Sequence, residues 1–304
     1  MSRTVVITGC ASGIGAAAVR RFAEEPDITI IGVDRVESND PAVSRWVIGD
    51  LSSRAGVEAV AEQITEDVDV LVNNAGVAGT MPWRTVLSIN TLAPRDLTEL
   101  LLPQFTKDAA VVTTASQAGF MWSMNFDLHQ KALAVEDWDQ ALAIYGERDG
   151  IDSAAYGLSK EAVIVWTGNF TIAAKALGVR ANTVSPGTVD TPLLPSFREA
   201  MGAEMIDGAS RWAGRHAKPA EIAEGMYFLT SPAASWVNGI DLPIDGGFSP
   251  FVYHTYVAPA MADMMAATTA MGEELAALKA EKEARGPGNT DGVEAAQTEA
   301  GVQA

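Results

Sequence analysis

The stretch TVVITGCASGIG, residues 4–15, decides the fold of this chain. Its first half is an apolar, β-branched run, which is typical of a strand buried on both faces. Three glycines follow, Gly9, Gly13 and Gly15, and an alanine-rich stretch of helical character begins at the last of them. A strand that turns through such glycines into a helix presents backbone N–H groups that can bind a phosphate. The segment therefore predicts a dinucleotide-binding strand–helix unit at the start of the chain.

Strand-like and helix-like segments alternate over most of the chain. Short runs rich in valine and isoleucine predict strands at Thr4–Thr8, Ile28–Val33, Arg45–Ile48, Asp69–Val72, Ala109–Ala115, Arg180–Val184 and Ile240–Ile244. The segments between them predict helices at Gly15–Glu25, Arg54–Glu66, Leu92–Phe105, Ala155–Leu177 and Ala220–Thr230. This order predicts an α/β fold, a Rossmann-type doubly wound parallel sheet, in one domain over residues 1–249. Ligands of such a sheet bind at the carboxyl ends of its strands.

Two long segments depart from the alternation. Residues 117–155 form an insertion, expected to be helical, that contains tryptophan, methionine, phenylalanine and tyrosine residues. Residues 188–218 are a second irregular stretch of similar character. Because both follow strands, we expect them to project from the binding edge of the sheet as a substrate lid or pocket wall. Surface loops that pack their own aromatic residues are the alternative.

A C-terminal extension covers residues 250–304. Six residues recur there at 3-4-3-4 spacing, and they are Met261, Met264, Thr268, Met271, Leu275 and Leu278. The spacing predicts a helix over about 260–285 with one apolar seam, and the Gly- and Pro-containing sequence after it predicts a disordered tail. A lone helix of this size needs a partner surface. Its own subunit, a neighbouring subunit or another protein can supply that surface.

Composition disfavours several classes of function. The 304 residues include 39 acidic and 21 basic ones, and the net charge of −18 disfavours nucleic acid and anionic membranes as partners. Cys10 is the one cysteine, and His129, His216 and His254 lack metal-ligand spacing, so we expect no disulfide and no metal. No apolar run approaches the ~20 residues that span a bilayer. The strand that begins almost at the first residue leaves no room for a signal peptide, so we expect a cytoplasmic protein.

The end of the second strand indicates which cofactor is bound. Asp34 follows the apolar run there and can accept hydrogen bonds from both hydroxyls of an adenosine ribose, whereas it would repel a 2′-phosphate. Ser12, rather than a lysine or arginine, precedes Gly13 in the glycine loop. Both features favour NAD over NADP, although Arg35 beside Asp34 is able to pair with a phosphate.

Tyr156 and Lys160 form a candidate proton-transfer pair in the segment YGLSK. Residues four apart in a helix face the same side. An unperturbed tyrosine has a pKa near 10, and a nearby ammonium favours the phenolate. We therefore expect the pKa of Tyr156 to move towards ~7, where proton exchange with an alcohol oxygen is efficient. The pattern YxxxK alone occurs by chance in many helices, so it carries weight only with other motifs.

The order of motifs over residues 3–247 resembles the short-chain dehydrogenase/reductase family. TGCASGIG at 8–15 resembles the family's TGxxxGxG, NNAG at 73–76 its NNAG, YGLSK its YxxxK, and PGTVDT at 186–191 its PGxVxT. The resemblance implies a nicotinamide cofactor held by Gly9, Ser12, Gly13, Ile14, Gly15, Asp34, Asp50, Leu51, Asn73, Ala75, Gly76, Tyr156, Lys160, Pro186, Gly187, Val189 and Thr191.

The resemblance also implies a catalytic set. Tyr156 would be the general acid/base, Lys160 would lower its pKa and bind the nicotinamide ribose, and Ser116 would hydrogen-bond the reacting oxygen. Asn90 would hold a water that relays protons to Lys160. We expect the assembly to be a homodimer or homotetramer.

Ser116 and Tyr156 are 40 positions apart. Such a long separation resembles the branch of the family that contains bacterial 3α-hydroxysteroid dehydrogenase/carbonyl reductase. The resemblance implies NAD-dependent interconversion of a secondary alcohol and a ketone, and the apolar insertions favour a bulky, steroid-like or alicyclic substrate. Another substrate, such as a terpene alcohol, a dihydrodiol or an acyl ketone, is one alternative. A non-catalytic NAD-sensing regulator is the other.

Overall fold

The structure is a computed structural model that describes residues 3–284, apart from the side chain of Lys282. The chain divides into two compact units, Met1–Ser249 and Pro250–Ala304. The tail predicted to be disordered, from residue 286 onward, lies outside the described residues.

A parallel sheet forms the centre of the first unit. Its strands, in chain order among the described residues, are β1 Arg3–Thr8, β2 Ile28–Asp34, β3 Arg45–Ile48, β4 Val68–Asn73, β5 Phe105–Thr114, β6 Arg180–Pro186 and β7 Asp241–Ile244. Their spatial order is β3-β2-β1-β4-β5-β6-β7, and every neighbouring pair is parallel. The direction of winding reverses between β1 and β4, which opens a crevice at the carboxyl ends of the strands. The predicted Rossmann-type sheet is confirmed.

Helices cover both faces of the sheet in the first unit, and further helices follow along the chain. They are α1 Gly13–Phe22, α2 Arg54–Ala61, α3 Trp83–Leu87, α4 Ala93–Leu100, α5 Phe126–Leu133, α6 Trp138–Gly146, α7 Ile151–Ala173, α8 Leu194–Met201, α9 Ala203–Trp212, α10 Pro219–Thr230, α11 Phe248–Val252 and α12 Ala258–Ala284. A π-helical turn, Ser88–Leu92, joins α3 to α4. None of the helices within residues 3–284 combines the length and apolarity needed to cross a bilayer.

The core consists of two apolar layers, one on each face of the sheet. Val6 lies in the layer with α2, α4 and α7, whereas Val5 and Ile7 lie in the layer with α1 and α10. Successive residues of a strand point to opposite faces, so a continuous apolar run serves both layers.

The region before β5 differs most from the prediction. One helix was expected over Leu92–Phe105, but α4 ends at Leu100 and Phe105 already belongs to β5. The helical run also begins before the predicted range, with α3 and the π-helical turn. Pro103 disfavours helical geometry in the residue before it, so α4 ends at Leu100 and a short 3₁₀ turn follows. Helix α7 also begins earlier than predicted, at Ile151, after Gly150 with a φ of +72°.

Candidate active site

A cavity of about 380 Å³ lies at the carboxyl ends of the strands. The glycine loop, the ends of β2, β4, β5 and β6, and helix α8 contribute to its wall. The predicted site residues that line it are Gly9, Ser12, Gly13, Ile14, Asp34, Asp50, Leu51, Ala75, Gly76, Ser116, Tyr156, Lys160, Pro186, Gly187, Val189 and Thr191. Gly15, Asn73 and Asn90 are not among its lining residues.

The glycine loop has a backbone conformation that could hold a diphosphate. Gly9 and Gly13 have φ values of +67° and +57°, which favour glycine, and α1 begins at Gly13 on the cavity wall. A Cβ atom on Gly15 would lie 2.1 Å from the carbonyl oxygen of Gly9. Gly15 therefore allows the glycine loop to pack closely on α1, and Gly15 itself does not face the cavity. The N-terminal N–H groups of α1 remain available to an anion.

The segment after β4 fixes the glycine loop in place. The hydroxyl oxygen of Thr8 accepts hydrogen bonds from the N–H groups of Asn74 and Ala75, both at 3.0 Å. The amide of Asn74 donates to the carbonyl oxygens of Thr8 and Gly9, both at 3.2 Å. Asn73 instead donates into the core, 2.9 Å from the hydroxyl of Thr98. Asn74 therefore lines the cavity where Asn73 was expected, and the two-residue alternation of a strand could have indicated this.

Asp34 lies at the end of the cavity next to β2 and β3. One carboxylate oxygen accepts from the N–H of Ala11 at 3.0 Å, and the other accepts from the N–H of Arg35 at 2.7 Å. These bonds hold the carboxylate at the edge of the cavity. Asp50 and Leu51 line the same end, and Arg35 lines it as well. The arrangement suits an adenosine ribose beside Asp34.

Ser116, Tyr156 and Lys160 converge at the opposite end of the cavity. Ser116 follows β5, and Tyr156 and Lys160 lie in the first half of α7. Burial raises the pKa of Tyr156 to about 12, while a hydrogen bond with Ser116 acts in the lowering direction. This result differs from the expectation that the pKa of Tyr156 moves towards ~7.

Burial of the phenol and the distance of the Lys160 ammonium together explain the difference. Lys160 Nζ donates to the carbonyl oxygen of Thr114 at 2.8 Å and lies 5.9 Å from the centroid of the Tyr156 ring. Burial also lowers the pKa of Lys160 to about 8. Because burial disfavours both charged forms, the phenol and the amine are each shifted towards neutrality.

Asn90 lies in the π-helical turn behind the cavity wall. Its Oδ1 accepts from the N–H of Val77 at 2.9 Å, and its Nδ2 donates to the hydroxyl of Ser159 at 3.1 Å. A Cβ atom on Gly76 would lie 3.1 Å from Asn90 Oδ1 and 3.7 Å from Lys160 Nζ. Asn90 thus connects the segment after β4 to α7 close to Lys160, and π-helical turns often mark functional sites.

Apolar side chains from the second irregular segment form the outer wall of the cavity. They are Leu193, Leu194, Phe197, Met201 and Ile206. The ring of Phe197 meets the ring of Tyr156 edge-on, with centroids 5.1 Å apart. A Cβ atom on Gly79 would lie 3.4 Å from the Cβ of Tyr156 and 3.5 Å from the Cβ of Ala200. Helix α8 therefore lies directly against the tyrosine.

The aromatic residues of the insertion have a different place from the one expected. Within the described residues, segment 117–155 contributes only Gln117 and Ala118 to the cavity wall. Trp138 and Tyr145 are buried in the core layer, and the Trp138 indole donates to Asp96 at 2.8 Å. The insertion therefore covers α4 and α7, because the sides of these helices that face away from the sheet are apolar and need a covering layer.

His129 is a packing residue within the insertion. It is fully buried, with Nε2 2.9 Å from Glu161 and Nδ1 3.1 Å from the hydroxyl of Tyr145. Over residues 3–284 no group of three or more His, Cys, Asp or Glu side chains is arranged to hold a metal. Burial raises the pKa of the Cys10 thiol to about 12, which makes it a poor nucleophile at neutral pH.

Comparison with known proteins agrees with the geometry. The family model for short chain dehydrogenases matches residues 3–128, and the model for enoyl-(acyl carrier protein) reductases matches residues 141–249. The 3-alpha-hydroxysteroid dehydrogenase/carbonyl reductase of Comamonas testosteroni is 34% identical over 258 residues, covering 80% of this chain and 95% of that protein. The chain belongs to the short-chain dehydrogenase/reductase family. It is an oxidoreductase of that family.

Two further proteins are similar over most of this chain. Coniferyl-alcohol dehydrogenase of Pseudomonas sp. (strain HR199 / DSM 7063) is 32% identical over 254 residues, covering 82% of this chain and 97% of that protein. The crystal structure of 3-alpha-hydroxysteroid dehydrogenase from Pseudomonas sp. B-0831, complexed with NADH, has 29% identity and a TM-score of 0.72. That comparison covers 83% of this chain and 99% of the other.

Proposed function

We propose that this oxidoreductase is NAD-dependent and interconverts a secondary alcohol and a ketone on a bulky apolar substrate, with Tyr156 as general acid/base. The convergence of Ser116, Tyr156 and Lys160 beside the apolar wall of α8 carries the proposal. A regulator that only senses NAD has no use for a proton-transfer set beside an apolar cavity wall, which disfavours that alternative.

The cavity fits a nicotinamide dinucleotide, which when bound supplies or accepts the hydride. The N-terminus of α1 at Gly13 would hold the diphosphate, because Gly13 and Ile14 line the cavity there. Asp34 would accept from the adenosine ribose, Asp50 would lie at the adenine, and Val189 and Thr191 would hold the carboxamide. The fit rests on the conformations of Gly9 and Gly13 and on the fixed carboxylate of Asp34.

The proton is handled by Tyr156. In the direction of ketone reduction, the phenol donates its proton to the carbonyl oxygen, while the Ser116 hydroxyl hydrogen-bonds the same oxygen as negative charge develops. A pKa of about 12 keeps Tyr156 protonated at neutral pH, as an acid requires. In the direction of alcohol oxidation, the phenolate is needed. The Lys160 ammonium favours that form when it turns from the Thr114 carbonyl towards the ring.

Asp34 supports the preference for NAD. A 2′-phosphate at this edge would meet a carboxylate, and Arg35 contributes only one compensating charge. Solved members of the fold carry NADH or NADPH, so the fold alone does not discriminate between the two. We propose that the carboxylate of Asp34 makes the difference.

The apolar wall supports a substrate with a ring or a comparable hydrocarbon body. Phe197, Met201 and Ile206 offer such a body a flat aromatic ring and flexible aliphatic surface. The relatives' names, a hydroxysteroid dehydrogenase and a coniferyl-alcohol dehydrogenase, point to the same class of molecule. We propose further that the protein is cytoplasmic and acts as a homodimer or homotetramer, without nucleic acid or membrane as a partner.

Formation of NADH, followed at 340 nm, tests the proposal. The purified protein is assayed with NAD and, in parallel, NADP against steroid, terpene and simple alicyclic alcohols. Turnover of a bulky alicyclic alcohol with NAD is the expected result. Turnover of small polar polyols alone would contradict the substrate class. Measurable NADH binding without turnover of any alcohol would favour the sensor.

A further inference from the structure

Helix α12 presents a continuous apolar seam. The helix has 27 residues and is about 40 Å long at ~1.5 Å per residue. The residues of the apolar seam are Met261, Met264, Thr268, Met271, Leu275 and Leu278, and the five apolar ones are 46% to 62% exposed. The hydroxyl of Thr268 donates to the carbonyl oxygen of Met264 at 2.8 Å, so its polar atom is satisfied within the helix. The apolar seam therefore carries no unpaired side-chain donor.

The helix lacks the means to be stable alone. Gly272 lies inside it, where no described atom outside the helix's own backbone is within 4 Å of its Cβ position, and a glycine inside a helix costs about 1 kcal/mol relative to alanine. Over residues 258–272, Asp263 is the only charged residue, and it lies away from the apolar seam. Stability must come from packing of the apolar seam against another surface.

The spacing of the apolar seam identifies that surface. Alternating steps of three and four residues repeat every seven, a period of 3.5 that keeps the seam facing a partner helix along its whole length. In heptad terms, Met261, Thr268 and Leu275 occupy a positions, and the other three seam residues occupy d positions. A face built for a flat protein surface follows the period of 3.6 instead and is wider. In α12, Met265 at an e position, 66% exposed, is the one large apolar residue outside the a and d positions.

The charges beside the apolar seam set the partner and its direction. Glu274 occupies a g position and Lys279 the e position five residues later. In a parallel pair, g of one helix meets e of the following heptad of the other, so a symmetric dimer forms the Glu274–Lys279 pair twice. An antiparallel pair sets g against g, where this helix has Ala267, Glu274 and Glu281 and no basic residue.

We infer that α12 forms a parallel two-stranded coiled coil with α12 of a second copy of this chain. The inference concerns assembly and is independent of the reaction proposed above.

Cysteine cross-linking of the full-length protein tests the pairing. Leu278→Cys places a thiol in the apolar seam at a d position, and Ala280→Cys places one in the same turn on the outer face. After mild oxidation, we expect Leu278→Cys to form a disulfide-linked dimer and Ala280→Cys to form none. The wild type is the negative control for cross-linking, because its one cysteine, Cys10, is buried. NADH binding and circular dichroism verify that each variant is folded.

Charge exchange tests the direction of the helices. Added to Leu278→Cys, either Glu274→Lys or Lys279→Glu sets like charges together twice, and we expect cross-linking about ten-fold slower. The double exchange restores opposite charges and should restore the rate. The inference would be overturned if Leu278→Cys formed no cross-link or if Ala280→Cys cross-linked equally well. It would also be overturned if the single charge variants cross-linked at the unchanged rate, or if the double exchange did not restore that rate. The apolar seam would then be covered by its own subunit or by another protein.

Discussion

Asp34→Asn tests the cofactor preference most directly. The substitution keeps the size and shape of the side chain and removes its charge. In the structure, both carboxylate oxygens accept backbone hydrogen bonds, from Ala11 at 3.0 Å and from Arg35 at 2.7 Å. An asparagine retains one acceptor oxygen, so one of the two bonds is lost at a cost of about 1 kcal/mol.

The electrostatic change is larger than the loss of one hydrogen bond. Two like charges about 5 Å apart repel by about 1 kcal/mol in water and by about 3 kcal/mol at an effective dielectric constant of ~20. Removing the carboxylate should therefore strengthen NADPH binding by roughly 5- to 150-fold. NADH binding should weaken by about 10-fold or less, since the adenosine ribose hydroxyls keep only one acceptor oxygen at position 34. The ratio of the two dissociation constants should shift towards NADPH.

Fluorescence titration measures both constants without a known substrate, because the seven tryptophans provide a signal. NADH and NADPH are titrated into the wild type and Asp34→Asn. Asp40→Asn is the matched control, since it makes the same charge change at a residue that binds the N–H of Ala42 and does not line the cavity. The reasoning is refuted if the wild type binds NADPH as tightly as NADH, or if Asp34→Asn leaves the ratio unchanged.

Three further predictions concern the catalytic end of the cavity. Tyr156→Phe should reduce turnover by about 10²- to 10⁴-fold without weakening NADH binding. The same change at Tyr145, inside the insertion, should leave turnover nearly intact. Similar steady-state rates in the two variants would contradict the assignment. Phe197→Ala should lower kcat/KM for a bulky alicyclic alcohol by roughly 10- to 100-fold and for a small alcohol much less, and Phe126→Ala, on the insertion, should change neither value. Lys160 has an ordinary pKa of 10.5 and a folded pKa of about 8, so between these pH values the unfolded chain binds a proton that the folded one does not. The free energy of unfolding of the cofactor-free protein should thus gain up to about 3 kcal/mol from Lys160 as pH rises through this window; urea unfolding at a series of pH values should show this gain missing in Lys160→Met, and equal slopes in the two proteins would exclude it.

Several features of the site could be predicted from local sequence. The glycines at 9, 13 and 15 are required by backbone conformation or close packing, so their spacing alone indicates the loop. Asp34 follows a strand whose length fixes where its side chain emerges. Tyr156 and Lys160 are one helical turn apart, which places them on one face wherever the helix begins.

Other features depended on contacts between distant segments. Strand alternation places Asn73 and Asn74 on opposite faces, but the packing of the sheet decides which of those faces meets the glycine loop. The Lys160 ammonium bonds a carbonyl at the end of β5, 46 residues earlier, so its distance from the Tyr156 ring was not in the local pattern. Trp138 donates a hydrogen bond to Asp96 of α4 and does not line the cavity.

The sequence by itself determined the parallel sheet, the order of the motifs and the identity of the residues that can exchange a proton, because strand burial, glycine turns and helical periodicity act over a few neighbouring residues. The tertiary structure alone decided which irregular segment lines the cavity. Phe197 reaches Tyr156, whereas Trp138 and Tyr145 of the insertion are buried in the core layer that contains α4 and α7. Both segments are apolar, and burial of apolar surface has no direction of its own. The shape of the rest of the fold therefore selects which surface each segment covers.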